Sequence, residues 1–200
     1  MKFEMILLFI LSGASLFLLP QAMVSSPNQD YNFLIDDFSR KDGLSALDTV
    51  WNSFSDRVMG GVSQGQHRFT EISGKRCIHL TGTVSLKNNG GFIQAALSLN
   101  NQGKPFDAGS YKGVRISVYG NNAQYYLHLR TIDTRQPWQF YAADFMTSEE
   151  WNTVEIPFSR FQPENISTPL NTAGLRRIAV VGAWQDFKAD VALSRIEFYR

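Results

Sequence analysis

Residues 61–65 have the pattern of a serine nucleophile. They read Gly-Val-Ser-Gln-Gly, which fits the G-x-S-x-G turn that exposes the catalytic serine of many hydrolases. That turn requires a strand before the serine and a helix after it. Residues 66–72 instead alternate like those of a strand. Although three histidines are available as bases, the pattern around Ser63 predicts no esterase site.

Other arrangements that could carry catalysis or a cofactor also lack a necessary part. Residues 60–65 resemble a dinucleotide-binding glycine turn, but Val62 replaces the middle glycine and no strand–helix–strand unit surrounds it. The adjacent carboxylates at 36–37 and 149–150 would point to opposite faces of a strand, so neither pair can flank one bond. The histidines lack the spacing of metal ligands. We therefore expect a non-enzymatic protein without a cofactor or a metal.

Two segments that combine paired glycines with polar side chains form the candidate functional region. One contains Gly60 and Gly61, and the other contains Gly90 and Gly91. Paired glycines allow positive φ angles or a close approach of two backbone segments. We expect all four glycines to be structural, so that substitutions there lower stability before they affect binding.

The polar side chains beside these glycines admit two interpretations. In the first, both segments are tight corners in which Asp56, Asn88 and Asn89 bond nearby backbone amides. In the second, the segments form one rim that presents Asp56, Arg57 and Asn88 to a ligand or partner. In both cases we expect the segments to lie side by side and these side chains to share one polar network.

The elements that must position these residues are short strands. Residues 114–119, 125–130 and 154–158 alternate apolar and polar side chains, and turn residues separate such runs. Residues 178–181 form a continuous apolar run, which predicts a strand buried on both faces. No long window has the 3.6-residue period of a helix. The sequence predicts an all-β fold, an antiparallel β-sandwich.

Composition and charge restrict the partners. Hydrophobic residues make up 44% of the chain and charged residues 18%, which is typical of a globular domain. The net charge is +1, with scattered Lys and Arg, so we expect no nucleic-acid partner. Cys77 is the one cysteine, which excludes an internal disulfide, and it lies in a strand-like run where we expect it to be buried.

The amino terminus has the pattern of an export signal. An apolar run at residues 5–19 is shorter than the roughly 20 residues of a membrane span, and small residues follow it. We therefore expect residues 1–26 to be a signal peptide, with an uncleaved membrane anchor as the alternative. Residues 27–32 are a short linker, and residues 33–200 form the sandwich. The expected location is exported, periplasmic or secreted, with membrane contact only through an uncleaved amino terminus.

The two glycine segments resemble those of a known family. The matching residues include Trp51, Arg130 and the segments Asp37-Phe38, Ser-Asp-Arg-Val-Met-Gly-Gly-Val-Ser (55–63), Val84-Ser85-Leu86, Asn88-Asn89-Gly90-Gly91-Phe92, Trp138-Gln139, Trp151-Asn152-Thr153-Val154, Pro157-Phe158 and Phe161-Gln162-Pro163. In these the sequence is similar to the complex I intermediate-associated protein 30 family. The resemblance implies a galactose-binding-like jelly roll and a non-enzymatic role, because the mitochondrial members act as assembly chaperones.

The leading functional hypothesis is a binding or chaperone-like domain for a protein client. Tyr126, Trp138 and Phe140 could supply an exposed aromatic patch, since aromatics are enriched at interface hot spots. The alternative is a carbohydrate-binding module, in which an aromatic platform pairs with polar side chains. An enzyme with an unrecognised site is a third possibility. The candidate binding residues are Asp56, Arg57, Ser63, Asn88, Asn89, Arg130, Trp138 and Gln139.

Overall fold

The computed structural model describes residues 31–200 and contains twelve strands. The predicted signal peptide or anchor and most of the linker lie outside the described residues. The strands are β1 (Phe33–Asp36), β2 (Trp51–Ser55), β3 (Gln64–Ile72), β4 (Lys75–Val84), β5 (Phe92–Ser98), β6 (Gly113–Gly120), β7 (Gln124–Thr131), β8 (Phe140–Met146), β9 (Asn152–Pro157), β10 (Gln162–Glu164), β11 (Leu175–Ala183) and β12 (Phe187–Tyr199).

The strands form two six-stranded sheets, and their pairings are antiparallel. The first sheet has the order β3-β4-β12-β6-β9, and β1 also pairs with β12. The second has the order β10-β8-β7-β11-β5-β2. The prediction of an all-β antiparallel sandwich is therefore confirmed. Between residues 31 and 200, helical structure is limited to short 3-10 turns, Asp56–Met59, Lys87–Asn89, Phe158–Arg160 and Thr172–Gly174. No helix in this range is long and apolar enough to cross a membrane.

Strand alternation sends one set of side chains into the core between the sheets. In β7, Leu127 and Leu129 are fully buried there, and their partners in β11 include Ile178 and Val180. Burying each such side chain contributes about 1.5–3 kcal/mol. The intervening residues of these strands point to the opposite, outer face of the second sheet.

The outer face of the second sheet is also largely apolar, which explains the continuous run in β11. Ala179 and Val181 are buried on this face, where they form a second, smaller cluster with Ala96 and Ala183. Partly buried aromatic rings of Phe54, Phe92 and Tyr126 pack against that cluster. The second sheet thus has apolar side chains on both of its faces, and only one face contacts the other sheet.

The two glycine segments connect one sheet to the other. The first joins β2 of the second sheet to β3 of the first, and the second joins β4 of the first sheet to β5 of the second. Both crossovers therefore run at the same end of the sandwich. This placement lets polar groups in one crossover reach the backbone of the other.

Candidate functional site

Asp56 joins the two glycine segments. Its side chain is fully buried, and its carboxylate accepts hydrogen bonds from the backbone N–H of Ser63 at 2.9 Å and of Gly91 at 2.6 Å. The Ser63 hydroxyl and the Phe92 N–H also donate to it. The Ser63 hydroxyl oxygen in turn accepts the Ser85 N–H at 2.9 Å. One carboxylate therefore holds both crossovers together.

The Asp56 carboxylate is stabilised in its charged form. Burial raises the pKa of this carboxyl, but the donors of Ser63, Gly91 and Phe92 outweigh burial and hold the pKa below its usual value. A carboxylate that is buried and bonded within the protein has little capacity left for a ligand. The arrangement corresponds to a brace between the crossovers.

Each of the four glycines is needed for its missing side chain or for its backbone conformation. A Cβ atom on Gly61 or on Gly90 would overlap the Asp56 side chain. Gly60 and Gly91 have φ angles of 89° and 126°, which side-chain-bearing residues rarely adopt. Each glycine pair thus combines one left-handed residue with one close approach to Asp56.

The other polar residues of the two segments are placed differently from the expected shared network. Arg57 is exposed, and its bonds within the segment are made by its backbone: its N–H donates to Ser55 Oγ and its carbonyl oxygen accepts the Gly60 N–H. Asn88 donates from Nδ2 to the Gly60 carbonyl oxygen at 3.4 Å and does not reach Asp56. The expectation that Asp56 and Ser63 face a ligand also needs correction. Both are buried beneath the surface, because the crossovers close over them.

A cleft of about 470 Å³ lies on the outer face of the second sheet, next to the brace. Its floor comes from alternate residues of the central strands, among them Phe92 and Gln94 of β5, His128 of β7 and Ala179 of β11. The alternation that buries Leu127 and Leu129 in the core places His128 on this face.

The walls of the cleft carry large apolar side chains that are open to solvent. Val58 and Met59, from the 3-10 turn after β2, are 72% and 54% exposed. Trp138 and Trp184, both on loops, are 51% and 46% exposed. Exposed apolar side chains grouped around a concavity are typical of binding surfaces.

Trp184 is held in a conformation that bulky residues rarely adopt. Its φ angle is 63°, in the left-handed region, and its backbone N–H donates to the Gly91 carbonyl oxygen at 3.0 Å. The indole ring meets Tyr126 edge-on with 4.3 Å between ring centroids. Backbone strain of this kind costs about 1–3 kcal/mol and is often found at functional sites.

His128 packs against Trp184, with 5.7 Å between ring centroids, and is the one histidine among the described lining residues of the cleft. Its ring stacks on Phe140 with 4.1 Å between centroids and an interplanar angle of 12°. Burial lowers the pKa of His128 to about 3, so the ring is neutral at ordinary pH. Nε2 is buried, and no hydrogen-bond partner reaches it within residues 31–200. A buried polar atom without a partner is uncommon, and this one belongs to a ring that lines the cleft.

Three of the predicted binding residues, Asn89, Arg130 and Trp138, line this cleft together. Arg130 donates from Nη2 to the carbonyl oxygens of Thr134 and Gln136. Burial and the neighbouring arginines lower the pKa of Arg130.

Gln139 and Trp51 stabilise loops or the core instead. The Gln139 amide oxygen accepts the N–H groups of Arg135 and Gln136, so it shapes the loop that carries Trp138. Trp51 is buried and donates to Asp36 at 2.8 Å, so it offers no platform for a sugar.

Sequence reasoning missed His128, Met59 and Trp184 as parts of a site. The alternation in 125–130 already put Tyr126, His128 and Arg130 on one strand face, and that signal could have identified the floor. No sequence signal gave the position of Trp184, because it depends on a turn conformation.

The described lining of the cleft consists of aromatic, aliphatic, amide and guanidinium groups, which suit binding. Its lining contains no carboxylate, cysteine, serine or lysine, and its one histidine is held neutral. Across residues 31–200, no cluster of His, Cys, Asp and Glu is arranged to hold a metal ion.

Several solved structures with a similar fold are carbohydrate-binding modules. The family 11 module of the cellulosomal cellulase Lic26A-Cel5E of Clostridium thermocellum has a TM-score of 0.66 and 14% identity, covering 84% of this chain and 94% of that one. The same organism's family 11 module in complex with a β-1,3-1,4-mixed-linked tetrasaccharide has a TM-score of 0.64 and 14% identity, covering 84% and 95%. A family 30 module has a TM-score of 0.54 and 11% identity, covering 74% and 82%. The fold is a galactose-binding-like jelly roll.

Sequence comparison gives the family. No curated protein matches the chain. Residues 36–184, which include the Asp56 brace and the lining residues of the cleft, match complex I intermediate-associated protein 30. The chain therefore belongs to the complex I intermediate-associated protein 30 family.

Proposed function

We propose that this protein is a non-enzymatic, chaperone-like binding domain that holds an extended segment of a client protein in the cleft. The observation that carries the proposal is the group of solvent-exposed apolar side chains, Val58, Met59, Trp138 and Trp184, around the concave outer face of the second sheet. Membership of a family named for association with complex I intermediates supports a protein client.

The chemistry of the cleft favours a peptide segment over a sugar. Sugar hydroxyl groups need many hydrogen-bonding partners, whereas Val58, Met59 and Ala179 offer none. Aliphatic and aromatic walls around a largely apolar floor suit apolar side chains of a bound segment. The strained backbone of Trp184 fits a role in contact with a ligand.

A second candidate function is carbohydrate binding in the same cleft. It is favoured by the exposed rings of Trp138 and Trp184, which could act as stacking platforms for sugar rings. The similar family 11 module binds a mixed-linked tetrasaccharide. Gln94 and Asn89, which line the cleft, would supply polar contacts.

Site-specific photocrosslinking in the native host tests both candidates. A photoreactive amino acid at position 138 should give protein adducts that disappear when Trp184→Ala is added. The matched control carries the same group at Phe69, which is 42% exposed on β3 of the other sheet. Gel retardation of the purified protein by mixed-linked glucan, lost in Trp138→Ala, would favour the carbohydrate candidate. The absence of both protein adducts and gel retardation would refute binding in the cleft.

The proposed setting is outside the cytoplasm, through the signal-like residues 1–26. A fusion of residues 1–30 to a reporter that is active only after export should give signal. A silent reporter would show that these residues do not direct export, and the expected client would then be inside the cell.

A further inference from the structure

A second, smaller pocket of about 180 Å³ adjoins the cleft and is lined by cations. Arg130, Arg176, Arg177 and Lys104 all border it, together with neutral groups such as Ser98 and Thr131. No carboxylate is among its lining residues. Because Arg130 and Arg177 also line the cleft, the two concavities share a wall.

The backbone brings these like charges together. Arg130 of β7 and Arg177 of β11 are direct partners across neighbouring antiparallel strands. Like charges at directly opposed positions destabilise a sheet. The register of β11 shifts between Leu175 and Arg177, and this irregularity adds Arg176 to the same pocket. Bulges of this kind re-aim side chains and are found next to binding sites.

The positive charges are not neutralised within the described chain. Across residues 31–200, none of the four cations forms an ion pair with a carboxylate. Arg130 is bonded to two carbonyl oxygens, and Arg177 lies over the Phe54 ring at 5.6 Å. Burial and repulsion by Arg177 and Arg176 lower the pKa of Arg130, which agrees with an uncompensated positive field.

We propose that this pocket binds a carboxylate of the client segment while apolar side chains of the same segment occupy the cleft. The inference rests on the proposed function. Guanidinium groups match a carboxylate through paired N–H donors, and a pocket of about 180 Å³ accommodates a group of that size. Since the pocket opens beside the apolar cleft, it selects a segment in which Asp, Glu or a terminal carboxylate is close to apolar residues.

The test selects random dodecapeptides displayed on phage against the purified protein. We expect peptides whose binding requires Trp138 and in which acidic residues stand beside apolar ones. For a selected peptide, Arg176→Gln with Arg177→Gln should weaken binding roughly tenfold, because each charge-assisted hydrogen bond is a strong one. The peptide with its acid replaced by the amide should bind both proteins equally.

A matched control separates the local effect from a change in net charge. Lys41→Gln with Lys188→Gln removes two exposed charges outside the pocket, and it should leave peptide affinity unchanged. Thermal midpoints of all variants are measured to confirm folding.

Different failures have different signatures. Neutral peptides that require Trp138 and bind the double arginine variant equally well would overturn the carboxylate pocket and leave the proposed function standing. If no selected peptide requires Trp138, the proposed function fails. Binding of polygalacturonate that is lost in the double arginine variant would assign the anion to an acidic polysaccharide and overturn the peptide carboxylate.

Discussion

Replacing Asp56 by Asn should cost a large part of the stability of this domain. The carboxylate accepts four donors: three backbone N–H groups and the Ser63 hydroxyl. The asparagine amide has only one accepting oxygen. In one orientation its NH₂ group faces the backbone N–H groups of Gly91 and Phe92, and in the other it faces the backbone N–H of Ser63. In both orientations at least one buried N–H faces another donor.

The magnitude follows from these lost bonds. A hydrogen bond to a charged acceptor contributes about 1.5–3 kcal/mol, and a buried donor left unpaired costs about 1–3 kcal/mol. With at least one bond lost and its donor unpaired, the expected decrease in the free energy of unfolding is about 3–5 kcal/mol. Small domains are stable by about 5–15 kcal/mol in total. The variant should therefore be close to unfolding at moderate temperature.

Urea denaturation of wild type and Asp56→Asn measures the difference. The control is Asp186→Asn, because Asp186 is exposed and accepts a single backbone N–H, from Leu86 at 3.0 Å. We expect that change to cost less than about 1 kcal/mol. A difference of similar size in the two variants would refute the assignment of Asp56 as the brace.

The effect of Asp56 should also depend on pH. Since its pKa is lower in the folded protein than in the unfolded chain, its contribution is complete above the unfolded value of about 4. It is lost as the pH falls through the folded value, where the carboxylate protonates. The stability difference between wild type and Asp56→Asn should thus decrease below about pH 4. A constant difference down to the lowest pH at which both fold would contradict this reasoning.

Three further predictions concern the cleft and the glycines. His128→Phe should raise stability by roughly 1–2 kcal/mol by removing the unpartnered Nε2. Between about pH 6.5 and pH 3 the unfolded chain protonates this histidine while the folded protein does not, because the pKa of folded His128 is about 3, so wild type loses stability as the pH falls. His128→Phe should lose less thermal stability over the same range; parallel pH profiles of the two proteins would contradict this. Gly90→Ala should lower the thermal midpoint by more than about 2 °C, the shift that a loss of about 1 kcal/mol gives in a domain of this size, because its Cβ meets Asp56. Gly109→Ala, where a Cβ would meet only the Asp107 side chain, serves as a milder control; equal shifts would count against the close approach. Trp184→Asn should keep the midpoint within a few degrees, since Asn tolerates the left-handed conformation, yet abolish crosslinking from position 138; unchanged crosslinking would exclude Trp184 from the binding surface.

The fold could be predicted because its signals are local. The alternation in residues 114–119 and 125–130 identifies strands and separates core side chains from outer ones, and turn residues divide the strands. The continuous run at 178–181 correctly indicated a strand covered on both faces. What covers the outer face could not be read from the run itself, because it depends on the neighbouring strands.

The site was predictable only in part because burial and loop conformation are not local properties. An aspartate between serine and arginine is expected at a surface, and the burial of Asp56 follows from two crossovers that meet in space. The left-handed backbone of Trp184 and the register shift before Arg177 likewise depend on tertiary packing. Glycine pairs did identify where the backbone approaches closely, since that property belongs to the residue type itself.

The backbone of Gly91 links the brace to the cleft. Its N–H donates to the Asp56 carboxylate, and its carbonyl oxygen accepts the Trp184 N–H. Amide hydrogen exchange at these two positions therefore reports a common local opening, in which the Trp184 loop separates from the crossover. An occupant that immobilises Trp184 would slow exchange at both amides and extend protection to the Ser63 amide, which lies on the far side of the buried carboxylate. Binding in the cleft would then be detectable as slower exchange of a buried amide, without any change in the average structure.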